Sequence, residues 1–180
     1  KAQFLLMSAT LGDLSRITDD LHRRTGCEVA EVTTAQRPVP LAFTWSLTPL
    51  AEVVEEVVTT RRAPVYVVHA SQAAAAEHAQ SVKGLALLSA AERDEIARRL
   101  GPVRFATGFG RTLSALLRKG IGVHHAGMLP RYRRIVEQLA QAGLLKVICG
   151  TDTLGVGINV PIRTVLLTQL TKFDGTRERL

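Results

Sequence analysis

The chain has few cysteines, few aromatic residues and no long apolar run. Its 180 residues include 2 cysteines, and aromatic residues make up 4% of the total. Cys27 and Cys149 stand in unlike contexts, so they predict neither a disulfide framework nor a zinc site and are typical of the reducing cytoplasm. No apolar run approaches the roughly 18 residues of a membrane span. We therefore expect a cytoplasmic protein that makes little use of aromatic stacking.

Two nucleotide-binding signatures are also absent from these residues. The sequence contains neither the dinucleotide pattern GxGxxG nor the phosphate-binding pattern GxxxxGK[ST]. Any nucleotide that these residues contact must therefore be held mainly by other segments.

The composition is basic and typical of a globular protein. Hydrophobic residues make up 46% of the chain, which is enough for a buried core. The 23 Lys and Arg residues against 16 Asp and Glu residues give a formal net charge of +7. This balance favours polyanionic partners without identifying one.

Apolar runs alternate with amphipathic segments along the chain. The predicted strands are residues 4–7, 28–32, 41–45, 65–69 and 144–149. The predicted helices are residues 14–26, which Gly26 ends, 50–62, 90–100 and 113–117, and a helix that begins near Pro130. The strand at 65–69 is VYVVH, a short β-branched run of the kind found in buried parallel sheets. The alternation predicts an α/β fold, with a parallel sheet that carries helices on both faces.

A glycine-rich segment follows the strand at 144–149. Gly150, Gly155 and Gly157 are interleaved with polar residues that include Thr151 and Asn159. Glycine lets backbone amides approach a ligand closely, so this loop suits phosphates and riboses. Tight packing of a strand-to-helix turn is the alternative explanation for the same glycines.

Two adjacent histidines and an arginine-rich helix precede that loop. His124 and His125 point to opposite sides of a strand, so they are poorly placed to chelate one metal ion, and we predict no metal site. One of them, His124, is expected to pack inward. Arg131 and Arg134 share a helix face on which two guanidinium groups could bind phosphates. The alternative is a solvated basic face, with Arg133 paired to Glu137.

Four sequence blocks, in this order, carry a resemblance to a known family. They are LLMSATLGD, HHAGMLP, TDTLGVGINVP and the closing KFDG. Together they resemble the superkiller-type branch of the superfamily 2 DEAD/DEAH-box helicases, which includes RNA-exosome helicases. Their sequence looks like that of an actinobacterial member. Ser71 and Gln72 match helicase motif IV in position. The resemblance extends from the SAT motif through motif V, nearly the whole chain.

The resemblance implies a domain organisation and a set of site residues. Residues 1–36 would be the tail of the first RecA-like lobe, and residues 37–180 a C-terminally incomplete second lobe with a variable insertion at about 84–119, expected to lie on the surface. No catalytic set would be complete. The implied coupling residues are Ser8 and Thr10, the implied ATP-cleft residues are Gly155, Gly157 and Asn159, and the implied nucleic-acid-binding residues are His125, Ala126, Gly127, Arg131, Arg134, Thr151 and Asp152.

The same resemblance implies an activity for a longer parent protein. That activity is translocation along single-stranded RNA or DNA driven by ATP hydrolysis, with ATP and Mg²⁺ held mainly by segments absent here. RNA is the favoured substrate, and the chain alone is expected to be inactive. A DNA helicase or translocase of repair type and a non-catalytic nucleic-acid-binding lobe remain alternatives. RNA-processing or decay proteins are the partners that the resemblance suggests.

Overall fold

The computed structural model describes residues 3–8, 12–32, 39–105, 108–152, 160–173 and 178–179. It divides the chain into two compact units, Lys1–Thr44 and Trp45–Leu180. Within the described residues, no helix has both the length and the apolar character needed to cross a bilayer.

The first unit contains one described helix. Helix α1 spans Ser15–Thr25 and ends at Gly26, whose left-handed φ of 64° stops the helix as its sequence position predicts. The predicted strands at 4–7 and 28–32 are not formed, and Phe4 and Met7 are exposed. A strand exists only where a neighbour completes its hydrogen-bond ladder, and an apolar run does not supply that neighbour.

The second unit alternates helices and strands. Its helices are α2 (Leu50–Thr59), α3 (Gln72–Ser81), α4 (Ala90–Leu100), α5 (Phe109–Leu117) and α6 (Pro130–Gln141), with a 3₁₀ turn at Val82–Gly84. Its strands are β1 (Val65–His69), β2 (Ile121–His124), β3 (Val147–Thr151), β4 (Thr164–Leu167), β5 (Lys172–Phe173) and β6 (Glu178–Arg179).

Four of these strands form one parallel sheet in the order β2-β3-β1-β4. Strand β1 lies centrally, with Val67 paired to Cys149 of β3 and to Leu166 of β4. The short strands β5 and β6 pair antiparallel as a separate sheet. The predicted strand at 41–45 is absent, and Phe43 and Trp45 are exposed.

Helices cover both faces of the parallel sheet. On one face, a β-carbon added to Gly122 of β2 would lie 3.1 Å from Val136 of α6. On the other face, His69 of β1 contacts His78 of α3. The opposite faces follow from the topology, because the crossover from β1 to β2 and the crossover from β2 to β3 run in opposite directions across the sheet. The predicted α/β fold with a RecA-like parallel sheet is confirmed.

The described residues of the segment 84–119 contribute side chains to the core of this unit. Leu100 of α4 and Leu113 and Leu117 of α5 are buried, and Ile96 is fully buried. The segment is therefore not confined to the surface, and its assignment as a variable insertion stays a prediction. Each helix presents only one short apolar stripe, and glycines and a proline interrupt the sequence between the two helices, so no continuous pattern marks the segment as core.

Candidate functional site

The carboxyl ends of three neighbouring strands bring the predicted site segments together. His124 at the end of β2 is paired with Gly150 of β3, and His69 at the end of β1 is paired with Thr151. The loops that follow these strands therefore leave the sheet at the same edge. Open parallel sheets bind their ligands at this edge.

The loop after β2 exposes its backbone and buries its histidine. Ala126 and Gly127 are exposed, whereas His125 is 8% exposed and its ring centroid lies 6.1 Å from that of Phe109. Burial lowers the pKa of His125, and the neighbouring His124 lowers it further. A ligand at this loop would therefore meet the backbone of residues 126–127 rather than the imidazole of His125.

A side chain from the start of α3 packs against the same loop. A β-carbon added to Gly127 would lie 2.3 Å from the Oε1 atom of Gln72. Ser71, the residue before it, caps α3 by accepting a hydrogen bond of 3.1 Å from the amide of Ala74. The two residues in the motif IV position thus have separate roles: Ser71 begins the helix, and Gln72 contacts the loop.

Helix α6 begins directly beside this loop. Pro130 occupies the first turn, as predicted, and that turn contains no acidic residue and no side-chain cap. The dipole of a helix favours an anion at its amino terminus. Arg131 and Arg134 are exposed there. The Arg131 guanidinium lies 4.8 Å from the ring centroid of Tyr132 and donates a hydrogen bond of 3.1 Å to its hydroxyl.

The ion pair between Arg133 and Glu137, which belonged to the alternative of a solvated basic face, is not formed between these two described residues. Glu137 instead lies 3.3 Å from the Nε2 atom of His124, across the space between α6 and β2. His124 is 5% exposed, so the prediction that it packs inward is confirmed. Burial lowers the pKa of His124, and Glu137 opposes that shift. The carboxylate bonds to the buried imidazole because β2 brings His124 beneath this part of α6, which the spacing within α6 does not reveal.

Thr151 and Asp152 lie where β3 ends. Thr151 is 8% exposed, and its carbonyl accepts a hydrogen bond of 2.6 Å from the Tyr66 hydroxyl. Asp152 is exposed. The two residues lie at the same sheet edge as the loop after β2, because β2 and β3 are adjacent and parallel. The predicted nucleic-acid-binding residues 125–127, 131, 134, 151 and 152 therefore all belong to one edge of the lobe.

Comparison with known proteins gives consistent relatives. No protein-family model matches the chain. The chain is 38% identical to mouse superkiller complex protein 2 over 131 residues, which are 67% of this chain and 10% of that protein. It is 52% identical to the Schizosaccharomyces pombe ATP-dependent RNA helicase mtr4 over 60 residues, 33% of this chain and 5% of that protein. It is 46% identical to the probable helicase HelY of Mycobacterium leprae over 99 residues, 51% of this chain and 11% of that protein.

The chain belongs to the superkiller-type branch of the superfamily 2 helicases. It spans about a tenth or less of the length of these three relatives. The resemblance carried by the four sequence blocks is confirmed.

Several predicted residues of this helicase chain lie outside the described part or in the other unit. Thr10, Gly155, Gly157 and Asn159 are outside the described residues. Ser8 is exposed in the first unit. The proposed coupling and ATP-cleft roles of these residues remain predictions.

Two residues that contact the candidate site were not named among the predicted binding residues, although Gln72 was matched to motif IV in position. Gln72 is the first helical residue after the β1–α3 connection, and a polar residue in that place is a signal that sequence reasoning can use. Tyr66 interrupts the valines of β1, and a buried tyrosine hydroxyl normally needs a hydrogen-bond partner. The partner of Tyr66 is 85 residues away in sequence, so no local pattern identifies it.

Proposed function

We propose that this chain is part of an ATP-dependent RNA helicase and supplies a nucleic-acid-binding edge and one wall of its ATP cleft. The observation that carries the proposal is the placement of the loop at residues 125–127 and of Thr151 at the carboxyl ends of adjacent parallel strands. The names of its relatives include ATP-dependent RNA helicases, which supports RNA as the substrate and ATP as the fuel.

The strand-binding chemistry follows from the exposed groups at this edge. The backbone of Ala126 and Gly127 can approach a phosphate without interference from a large side chain. The positive end of the α6 dipole lies beside this loop, and the exposed Arg131 and Arg134 add positive charge. Contacts of this kind recognise the backbone rather than the bases, so binding is sequence-tolerant and weakens as salt rises.

The ATP cleft requires more than this chain contains. Phosphoryl transfer needs a phosphate cradle and Mg²⁺ to neutralise the developing charge. The 180 residues contain no GxxxxGK[ST] pattern, so we propose that ATP and Mg²⁺ are held mainly by other segments of a longer protein. In that protein Gly155, Gly157 and Asn159 would line the cleft, and Ser8 and Thr10 would couple the nucleotide state to strand binding. The chain alone is then inactive as an ATPase.

The deciding experiment measures ATP hydrolysis by the longer protein with and without single-stranded RNA or DNA. The isolated chain and a Thr151→Ala protein are assayed beside it. We expect RNA to stimulate hydrolysis, the isolated chain to show none, and Thr151→Ala to weaken the stimulation. Thr164→Val is the matched control, because Thr164 lies at the amino end of β4, away from this edge.

Other outcomes of the same assay identify the alternatives. Stimulation by DNA but not by RNA would indicate a DNA helicase or translocase instead of an RNA helicase. No stimulation by either nucleic acid would indicate a non-catalytic nucleic-acid-binding lobe. A cytoplasmic location and partners in RNA processing or decay belong to the proposal only if RNA stimulates ATP hydrolysis.

A further inference from the structure

We propose that Tyr66 and His69 are positioning residues that hold the Gly150–Thr151 segment from the two faces of the sheet. This role rests on the helicase function proposed above. Both side chains come from β1, the central strand that pairs with β3 and β4. Their targets are the last two residues of β3, immediately before the glycine-rich loop of the helicase chain.

Tyr66 reaches its target along one face of the sheet. It is paired with Ile148, and its hydroxyl extends past Gly150 to donate a hydrogen bond of 2.6 Å to the Thr151 carbonyl. A β-carbon at position 150 would lie 2.2 Å from that hydroxyl. The absence of a side chain at Gly150 is therefore what lets the tyrosine reach Thr151.

His69 reaches the same segment from the opposite face. Its Nδ1 atom lies 3.3 Å from the Gly150 carbonyl, and its Nε2 atom lies 2.7 Å from Nδ1 of His78 on α3. A carbonyl oxygen can only accept, so Nδ1 of His69 carries the proton and Nε2 accepts from His78. Because residues 66 and 69 are an odd number of positions apart in one strand, their side chains lie on opposite faces.

The contacts made by Tyr66 and His69 position the Gly150–Thr151 segment and are not needed to fill the core. The remaining positions of β1, Val65, Val67 and Val68, are aliphatic, and an aliphatic residue at 66 would also fill the core. Burial raises the pKa of the Tyr66 phenol, so it remains a proton donor at all working pH values. A buried hydroxyl without a partner is unfavourable, so Tyr66 keeps the Thr151 carbonyl in one place.

The same strand also connects to the loop after β2. Helix α3 is linked to β1 through His78, and its first residue, Gln72, contacts Gly127. Thus β1 and the helix that follows it touch both segments that we propose to bind the nucleic-acid strand. A change at Tyr66 or His69 should therefore alter strand binding without altering any group that contacts the strand.

The test uses the longer protein with Tyr66→Phe, which removes one hydroxyl and keeps the ring. We expect the RNA concentration that half-saturates ATP hydrolysis to rise by about two- to tenfold, the range for loss of one net hydrogen bond. We expect kcat at saturating RNA to change less than twofold. A purely structural defect would lower the folded fraction, and hence the apparent kcat, and would leave half-saturation unchanged.

Thr164→Val is the matched control. Its hydroxyl donates a hydrogen bond of 2.8 Å to the Arg62 carbonyl, also far away in sequence, but at the amino end of the strands. It should leave both the half-saturating RNA concentration and kcat unchanged. His69→Leu is the second positioning variant and should shift half-saturation in the same direction as Tyr66→Phe, even if the latter folds poorly.

The outcomes separate this role from the proposed function. A wild-type protein that RNA and DNA fail to stimulate would overturn both. Stimulation in the wild type with unchanged half-saturation in Tyr66→Phe and His69→Leu would overturn the positioning role alone. An equal shift in Thr164→Val would also overturn it, because the effect would then not depend on the carboxyl end of the sheet.

Discussion

The two ends of the parallel sheet are held together in different ways. At the amino end, the elements are joined by backbone hydrogen bonds, such as that from the Arg163 amide to the Pro64 carbonyl, and by partly exposed side chains: the Thr164 hydroxyl bonds the Arg62 carbonyl, and Lys146 bonds Glu92 at 2.5 Å. At the carboxyl end, buried side chains such as Tyr66 and His69 hold backbone carbonyls. The two ends therefore differ in how deeply the connecting side chains are buried.

This difference indicates where stability and function lie in the lobe. Partly exposed polar contacts each contribute little free energy, so we expect the amino end to tolerate substitution more readily. The carboxyl end buries three histidines, His69, His124 and His125, and a tyrosine close to the exposed loop that we propose to bind phosphates. Buried polar groups of this kind stabilise one arrangement when their hydrogen bonds are made and are destabilising when they are lost.

The largest expected effect is that of Gly150→Ala at the carboxyl end. The new β-carbon would lie 2.2 Å from the His124 carbonyl oxygen and 2.2 Å from the Tyr66 hydroxyl. The His124 carbonyl is backbone and cannot move alone, so we expect a loss of about 3 kcal/mol or more in the free energy of unfolding. Urea denaturation of the chain measures it.

Gly84→Ala is the matched control for that substitution. No atom lies within 4 Å of the β-carbon position at Gly84. We expect its unfolding free energy to stay within about 0.5 kcal/mol of the wild type. Similar losses for the two variants would contradict the idea that crowding at the end of β3 causes the effect.

The second prediction is that the two ends of the sheet lose their contributions to the free energy of unfolding in different pH ranges. Burial is the first cause of the lowered pKa values of His69, His124 and His125, whose ordinary value is 6.5. The unfolded chain therefore binds protons first as the pH falls below about 6.5, and stability decreases there by up to ~1.4 kcal/mol per pH unit for each histidine. At the amino end, the hydrogen bond from Lys146 lowers the pKa of Glu92 below 4.5, so its contribution is lost only in more acidic solution.

Urea denaturation at a series of pH values tests this separation. His125→Asn should reduce the slope below about pH 6.5, whereas Glu92→Gln should leave that slope unchanged. A free energy of unfolding that is constant between about pH 7.5 and pH 5 would contradict the assignment of buried neutral histidines.

The same contrast explains which features the sequence could predict. Strand β1 and helix α4 have the predicted bounds, Val65–His69 and Ala90–Leu100, because their patterns are local. The strand predicted at 41–45 fails because its alternating apolar residues do not specify a pairing partner. The loop at residues 125–127 was predicted from the resemblance carried by the HHAGMLP block, but the contact of Gln72 with Gly127 joins segments about fifty residues apart. Only the folded structure shows that Gln72 and Gly127 lie close together.

The third prediction concerns Glu92 at the amino end, which has two roles. It accepts hydrogen bonds of 2.9 Å from the amide and the hydroxyl of Ser89 in a capping box, and it pairs with Lys146. Glu92→Gln keeps capping atoms and should destabilise the chain by about 0.5 kcal/mol, whereas Glu92→Ala loses both roles and should cost about 1–2 kcal/mol. Urea denaturation distinguishes the two.

The activity of the longer protein checks that Glu92 acts on stability alone. The half-saturating RNA concentration should be the same for wild type, Glu92→Gln and Glu92→Ala. A shift in either variant would mean that the amino end also influences strand binding, and the contrast between the two ends would then be wrong.

The smallest expected effect on stability is that of Gly127→Ala. Its β-carbon would meet the Oε1 atom of Gln72 at 2.3 Å, but that atom is the far end of a flexible side chain, which can move away. We expect a loss below about 1 kcal/mol in unfolding free energy. Because the new methyl group stands on the exposed loop, we expect RNA affinity to decrease by about threefold or more, measured by titration of single-stranded RNA at fixed salt.

A double substitution decides whether the contact with Gln72 causes that loss of affinity. Gln72→Ala removes the side chain that the new methyl group displaces, so Gly127→Ala with Gln72→Ala should regain the stability lost in Gly127→Ala. Affinity should recover with it if the displaced glutamine shifts the loop. If stability recovers and affinity does not, the methyl group itself obstructs the strand, which would place the phosphate directly against the backbone of Gly127.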